Sequence, residues 1–328
     1  MNRATSTARS FPGSHHLSGN PLRAAASPTQ DLPLSIVGKP LGPTTLSDRS
    51  LQGRARRTPA RGLKILKWVV IGAALAFFVL PIFYMVLMSF KSPDDILSRS
   101  ILPTQLVWQN WSEALGQTPI LTNLRNSLIV ATGATALSLV IAIPANYAMA
   151  RLRIGGKRTM TLVVSAYIAP PVVAIVPLFL LVRSIGLMDS LTGLIIVQAL
   201  VISPVVVWLL DTFFRAVPPE VDEAAQIDGC GPITTLFRII LPLVAPGIVA
   251  VAIIAFILTY NDFLIPLMLA QSVNTQTLPV GIALLQGGRE VMFGQMAAAS
   301  LSGMTPVYVL ALVMQKWLIG GLTQGSVK

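Results

Sequence analysis

Side chains able to do chemistry on their own are few in this chain. The two histidines, His15 and His16, sit side by side in a polar N-terminal segment, where a solvated tail explains them better than a metal site. The single cysteine, Cys230, excludes an internal disulfide and leaves no thiolate cluster for zinc. The stretch "GGKRT" at 155–159 has a glycine before its lysine but not the rest of a phosphate loop. Arg151 stands where the first glycine must be, and Arg158 follows the lysine. With no nucleophile constellation and no metal-ligand cluster, catalysis is not expected from this chain. What remains is charge in unusual places. Glu220, Asp222, Glu223 and Asp228 gather in "EVDEAAQIDGCGPITTLFRIILP" (220–242), and Asn261 and Asp262 interrupt an apolar run. The first group can grip a basic partner; the second can bind a polar solute or bond to another helix.

The elements that must position these residues follow from composition. The chain has 328 residues, of which 53% are hydrophobic and only 11% charged. So few charges cannot cover that much apolar surface in water, so a multi-span membrane protein is expected. A helix needs roughly 20 apolar residues to cross a bilayer core. Six runs meet that length, at about 65–89, 126–150, 160–182, 191–214, 245–270 and 296–319. The fold class is therefore all-α with six transmembrane helices. Each run holds proline, and the cluster Pro170, Pro171 and Pro177 is the place where a broken helix is expected to line a path.

Basic residues set the direction. Placing the N-terminus in the cytoplasm puts 19 of the 24 lysines and arginines on that side, including the short loop "RLRIGGKR" (151–158). The positive-inside rule then places both termini in the cytoplasm. The net charge of +11 is thus an address for the bilayer and not a nucleic-acid footprint. Residues 1–62 are rich in Ser, Pro, Arg and Gly, a composition shared with organellar transit peptides. They read better as a disordered basic cytoplasmic tail, followed by the transmembrane domain 63–328.

In that topology 215–244 is the longest cytoplasmic loop. Pro218 and Pro219 suit a helix start, and three acids in the first turn favour the positive end of the helix dipole. Val221, Ala224 and Ala225 share one face by their spacing. Gly229 ends this helix through a left-handed cap. A second helix opens at Pro232, carries Ile233, Leu236, Phe237, Ile240 and Leu241 on one face, and is expected to stop at Pro242. An amphipathic linker on the membrane surface accounts for the second helix but not for the first, because anionic headgroups repel acids.

The same stretch resembles the loop motif of permease subunits in ATP-binding-cassette importers: E-A-A, three residues, G, nine residues, I-x-L-P. Glu223, Ala224, Ala225, Gly229, Ile239, Leu241 and Pro242 fill every position. The resemblance implies that Pro219–Gly229 is a coupling helix seated in a cleft of an ATPase subunit, with Glu223 as a polar anchor. Three further stretches resemble the carbohydrate branch, and its maltose-type second permease in particular. They are "PLFLLVRSIGLMDSLTGLI" (177–195), "YNDFLIPLMLA" (260–270) and the ending "GLTQGSVK" (321–328). The implied partners are a companion permease, two ATPases that bind ATP and Mg, and an extracytoplasmic binding protein. No cofactor is implied for the chain itself.

By the same resemblance, the loop 271–295 with Gln286, Gly287 and Gly288 would reach the binding protein's sugar cleft. Candidates for the translocation path are Asn261, Asp262, Asn146, Gln198, Pro170 and Pro171. A helix–helix hydrogen bond explains Asn261 and Asp262 equally well, since a charge at a span centre costs roughly 2.5–3.5 kcal/mol. The alternative to a sugar is the same importer architecture carrying a polyol, a glycerol phosphodiester or a polyamine. An ion-driven secondary transporter would need paired intramembrane charges and an inverted repeat, and the sequence offers neither.

Overall fold

The computed structural model describes residues 61–98, 100–168, 171–286 and 292–324. Residues 1–60 of the expected tail, Pro170, Gly287, Gly288 and the last four residues lie outside them, while the tail's last two residues, 61 and 62, already belong to the first helix. The chain divides into two units, Met1–Leu63 and Lys64–Lys328, and the helical bundle belongs to the second. No strand occurs among the described residues.

The elements are α1 (Arg61–Met88), α2 (Pro93–Leu97), α3 (Gln109–Gly116), α4 (Ile120–Ala150), α5 (Gly156–Ile168), α6 (Pro171–Ser184) and α7 (Leu191–Ala216). They continue with α8 (Glu220–Ile227), α9 (Pro232–Thr235), a π-helical turn (Leu236–Ile240) and α10 (Leu241–Tyr260). Last come α11 (Leu264–Leu269), α12 (Leu278–Leu284) and α13 (Phe293–Gln324). Five stretches among the described residues are long and apolar enough to cross a membrane: Ile65–Met88, Ile120–Ala150, Leu191–Ala216, Pro232–Tyr260 and Phe293–Gln315.

The expected third span takes a different form. Here α5 and α6 stand in place of one helix, and the apolar part, Val173–Ser184, is short. Helix α5 ends at Ile168 and α6 opens at Pro171, whose missing N–H is tolerated in the first turn of a helix but not in its interior.

The fifth span departs from expectation at both ends. Pro242 does not stop the helix before it. The Leu241 N–H donates back five residues to the Leu236 carbonyl, and the π turn absorbs the missing donor of Pro242 without ending the helix. The span then ends at Tyr260 and not near 270. Asn261 caps α10, and α11 is a separate short helix.

Three apolar clusters hold the bundle together. One joins α4, α7, the π turn and α10 at the α8 end, with Leu210, Phe214 and Ile240 buried at its centre and Val221 of α8 packed on its edge. A second joins α4, α6, α7 and α11 around Val130, Val182 and Leu194. The third joins α4, α10, α12 and α13 around Ile120, Tyr260, Leu278 and Ala299. By contrast α1 contributes almost nothing to these cores, and its Trp68, Phe77 and Phe78 are exposed. A helix apolar on all sides and bare outside belongs in lipid or against another apolar helix.

Candidate functional site

Helix α8 is held on one side and open on the other. Its N-terminus follows directly from Val217 and Pro218, where α7 ends. Its C-terminus closes in a Schellman turn: the Cys230 N–H donates to the Ala225 carbonyl at 2.9 Å and the Gly229 N–H to the Gln226 carbonyl at 3.0 Å. That turn needs a left-handed residue, and Gly229 supplies it with φ +77°. The inward side carries Ala225, which is buried, and the half-buried Val221 and Asp222. The outward side carries Glu220, Glu223, Ala224, Gln226, Ile227 and Asp228. Ile227 is 86% exposed and Ile233, just beyond the glycine turn, 76%. The expected common face of Val221, Ala224 and Ala225 is therefore split, with Ala224 turned outward. The remaining motif positions support the base: Ile239 and Leu241 are half-buried at the π turn, while Pro242 is exposed.

One arginine fixes the inward side. Arg151 is the C-cap of α4, and its guanidinium donates to the Val217 carbonyl at 2.6 Å, to the Pro218 carbonyl at 2.9 Å and to the Asp222 carboxylate. The side chains of Arg151 and Asp222 retain only 7% and 17% exposure. A planar fork with five donors suits this three-way contact, which one ammonium group could not reproduce. Arg151 thus joins the end of α4 to the α7–α8 corner. In the sequence it reads only as a topological charge, and its partners lie 66 to 71 residues away.

At the opposite end of the bundle the segment 270–281 is also pinned by polar groups. The Asn126 amide of α4 donates to the Asn274 and Gln276 carbonyls at 2.9 and 3.0 Å. The Ser127 hydroxyl accepts the Leu278 N–H at 2.8 Å. Gly281 of α12 presses against Asn123 so closely that an added Cβ would fall 1.9 Å from the amide nitrogen. From the α6–α7 turn, the Asp189 carboxylate accepts the Gln271 and Ser272 N–H groups, each at 2.9 Å, and the Thr275 hydroxyl. Partial burial alone would raise the Asp189 pKa, but these donors prevail and hold it at about 2. Sequence reasoning missed all of these anchors except the general position of the loop.

The path candidates do not form one cluster. Asp262 lies in the break between α10 and α11, not within a continuous span, and faces the N–H groups that open α11. Its carboxylate accepts from the Gln198 amide at 3.1 Å, so these two meet. Asn261 turns elsewhere: its amide bonds to the Ile257 carbonyl at 2.8 Å. It lines a cavity of about 560 Å³ together with Tyr260, Met304 and Tyr308. The Tyr260 hydroxyl is fixed there by the Gly303 carbonyl at 2.8 Å. Asn146 is fully buried in α4 and bonds to the Ala142 carbonyl, remote from the others. Pro171 opens α6, and Gln286 is exposed where the described part of its loop ends.

Residues 138–323 match the model of the binding-protein-dependent transport system inner membrane component family. The chain belongs to this family. It is a multi-pass membrane permease. The sulfoquinovosyl glycerol transport system permease protein SmoH of Agrobacterium fabrum is 32% identical over 268 residues, covering 81% of this chain and 94% of that protein. The diacetylchitobiose uptake system permease protein DasC of Streptomyces coelicolor is 32% identical over 80% of this permease and 96% of its own length. The trehalose/maltose transport system permease protein MalG of Thermococcus litoralis is likewise 32% identical, over 79% and 96%. The fold is similar to that in the crystal structure of a bacterial ABC transporter involved in import of the acidic polysaccharide alginate. The TM-score is 0.64 at 21% identity, covering 78% of this permease and 96% of that chain.

Proposed function

We propose that this permease moves a sugar or sugar derivative across the bacterial inner membrane, as one half of a transmembrane pair with a companion permease. Two cytosolic ATPases hold ATP and Mg and drive the motion. An extracytoplasmic binding protein delivers the cargo. In this reading both termini and α8 face the cytoplasm, an orientation that the distribution of lysine and arginine supports.

One observation carries the reading. Helix α8 keeps Glu220, Glu223, Ala224 and Ile227 bare while its other side is locked to the bundle. An acidic, partly apolar face of that kind is poorly suited to an anionic membrane surface and well suited to a basic-rimmed cleft on a protein. The sugar assignment rests on the relatives, whose names specify a sulfoquinovosyl glycerol, a chitobiose and trehalose/maltose. The cavity lined by Tyr260, Asn261 and Tyr308 is compatible with it, since a mostly apolar wall there carries a few polar groups. In this scheme closure of the ATPases draws α8 inward and turns the bundle outward-open, and hydrolysis lets it return.

Replacing Glu223 by Lys tests the docking role. Because the side chain is exposed, membrane insertion and stability should change by less than about 0.5 kcal/mol. Uptake by cells should nevertheless fall at least several-fold, and the ATPase should be lost or uncoupled on purification. Wild-type uptake with full ATPase retention would remove Glu223 from the interface.

A further inference from the structure

Helix α4 is gripped at both ends by buried polar side chains, and the two grips belong to segments on opposite sides of the membrane. At one end Arg151 takes hold of Val217, Pro218 and Asp222, the corner that carries α8. At the other, Asn126 and Ser127, fully or almost fully buried, hold the backbone of Asn274, Gln276 and Leu278. From Asn126 to Arg151 the helix spans about 37 Å at 1.5 Å per residue. Between the grips α4 lies against α7 in two buried clusters, one including Val130 and the other Ala142, Tyr147 and Met149. The second cluster braces the helix where Pro144 interrupts its hydrogen bonding.

These grips differ in kind from ordinary packing. Apolar contacts between helices can slide, whereas a guanidinium bonded to three acceptors, or an amide bonded to two carbonyls, has one satisfied position. Moving α8 without α4 would leave the Arg151 and Asp222 charges unpaired in a largely dry corner. Moving α4 without the 274–278 backbone would strand the Asn126 amide and the Leu278 N–H. Each break costs more than carrying the partner along.

We infer that Arg151, Asn126 and Ser127 are positioning residues that make α4 the transmitting member between α8 and the 270–281 segment. A displacement imposed on α8 then reappears across the membrane in the loop facing the extracytoplasmic side. This rests on the assignment of α8 as the ATPase contact. Linkage makes the transmission reciprocal, so an event at the loop also biases α8. Asp189 holds the same segment to the α6–α7 turn, which makes residues 271–278 a rigid receiver.

The test uses the assembled transporter, with its ATPases, in lipid nanodiscs, and ATP, Mg and vanadate as the probe. Amide hydrogen exchange is read on peptides covering α8 and 271–281. In the wild type the nucleotide should alter exchange in both. In Arg151→Met the α8 response should persist and the 271–281 response should shrink at least several-fold. Asn126→Leu with Ser127→Ala, far from the ATPase contact, should give the same dissociation of the two responses, and it stands in where Arg151→Met fails to assemble. Arg151→Lys, which keeps the charge but not the fork, should be intermediate. A 271–281 response of wild-type size beside an intact α8 response, in either end's variant, overturns the link and leaves the docking of α8 standing. Absence of any α8 response in the wild type overturns the docking assignment and the link together.

Discussion

Arg151 and Asp189 show how single charges can organise a molecule that is mostly apolar. Each ties together elements distant in sequence, and each makes several hydrogen bonds. Removing the Arg151 guanidinium should destabilise the α8 corner by about 1–3 kcal/mol, because Asp222 and two carbonyls lose a buried partner while some water access remains. For Asp189 a pH dependence follows. Its folded pKa of about 2 lies below the ordinary value of 3.8, so its stabilising effect is fully present above about pH 4 and fades as pH falls from there toward 2. The thermal midpoint of Asp189→Asn should therefore trail the wild type by a constant amount between pH 8 and 5, and the gap should close below pH 4. Differential scanning measurements across that range check it. A gap that closes between pH 8 and 5 would mean that the carboxylate is not held by the donors of 271–275.

Helix α8 is the element most fully written in the sequence. Pro219 and the three acids mark its start, and Gly229 its end, because both signals are local and depend on backbone chemistry alone. The break at Pro171 is legible for the same reason. Pro242 is the instructive failure. A proline predicts a stop, but a π turn just before it removes the demand for its missing N–H, and nothing local in the sequence distinguishes the two outcomes. The end of α10 at Tyr260 is only half legible, since Asn261 and Asp262 mark it but the apolar run resumes beyond them through Pro266 while the helix does not. The grips of α4 are out of reach because their partners lie 66 to 151 residues away. At this scale Gly229 gives a discriminating series. No atom comes within 4 Å of an added Cβ there, so substitution should cost backbone strain only. Gly229→Asn should keep most uptake because asparagine tolerates the left-handed region. Gly229→Val should lose roughly 1–2 kcal/mol of helix-end stability and most of the uptake. Equal uptake in the two variants would show that the turn does not orient α8.

The whole molecule has the exposure pattern of a membrane subunit that is incomplete alone. Its acidic helix has one open side, its first helix is bare over most of its length, and its cavity beside Asn261 is bordered by the end of that same helix through Met85. In the proposed assembly lipid and a companion permease cover the apolar surfaces, and a protein with basic groups covers the outward face of α8. The most direct measurement is a site-specific crosslink from that face. Cys230→Ser removes the native thiol, and Ala224→Cys, on the exposed side of α8, carries a photoreactive maleimide in membranes containing the whole transporter. Docking of α8 on an ATPase should give one dominant adduct with the mass of this chain plus an ATPase subunit, weakened by Glu223→Lys. Adducts only with lipid, or only within the chain, would contradict it.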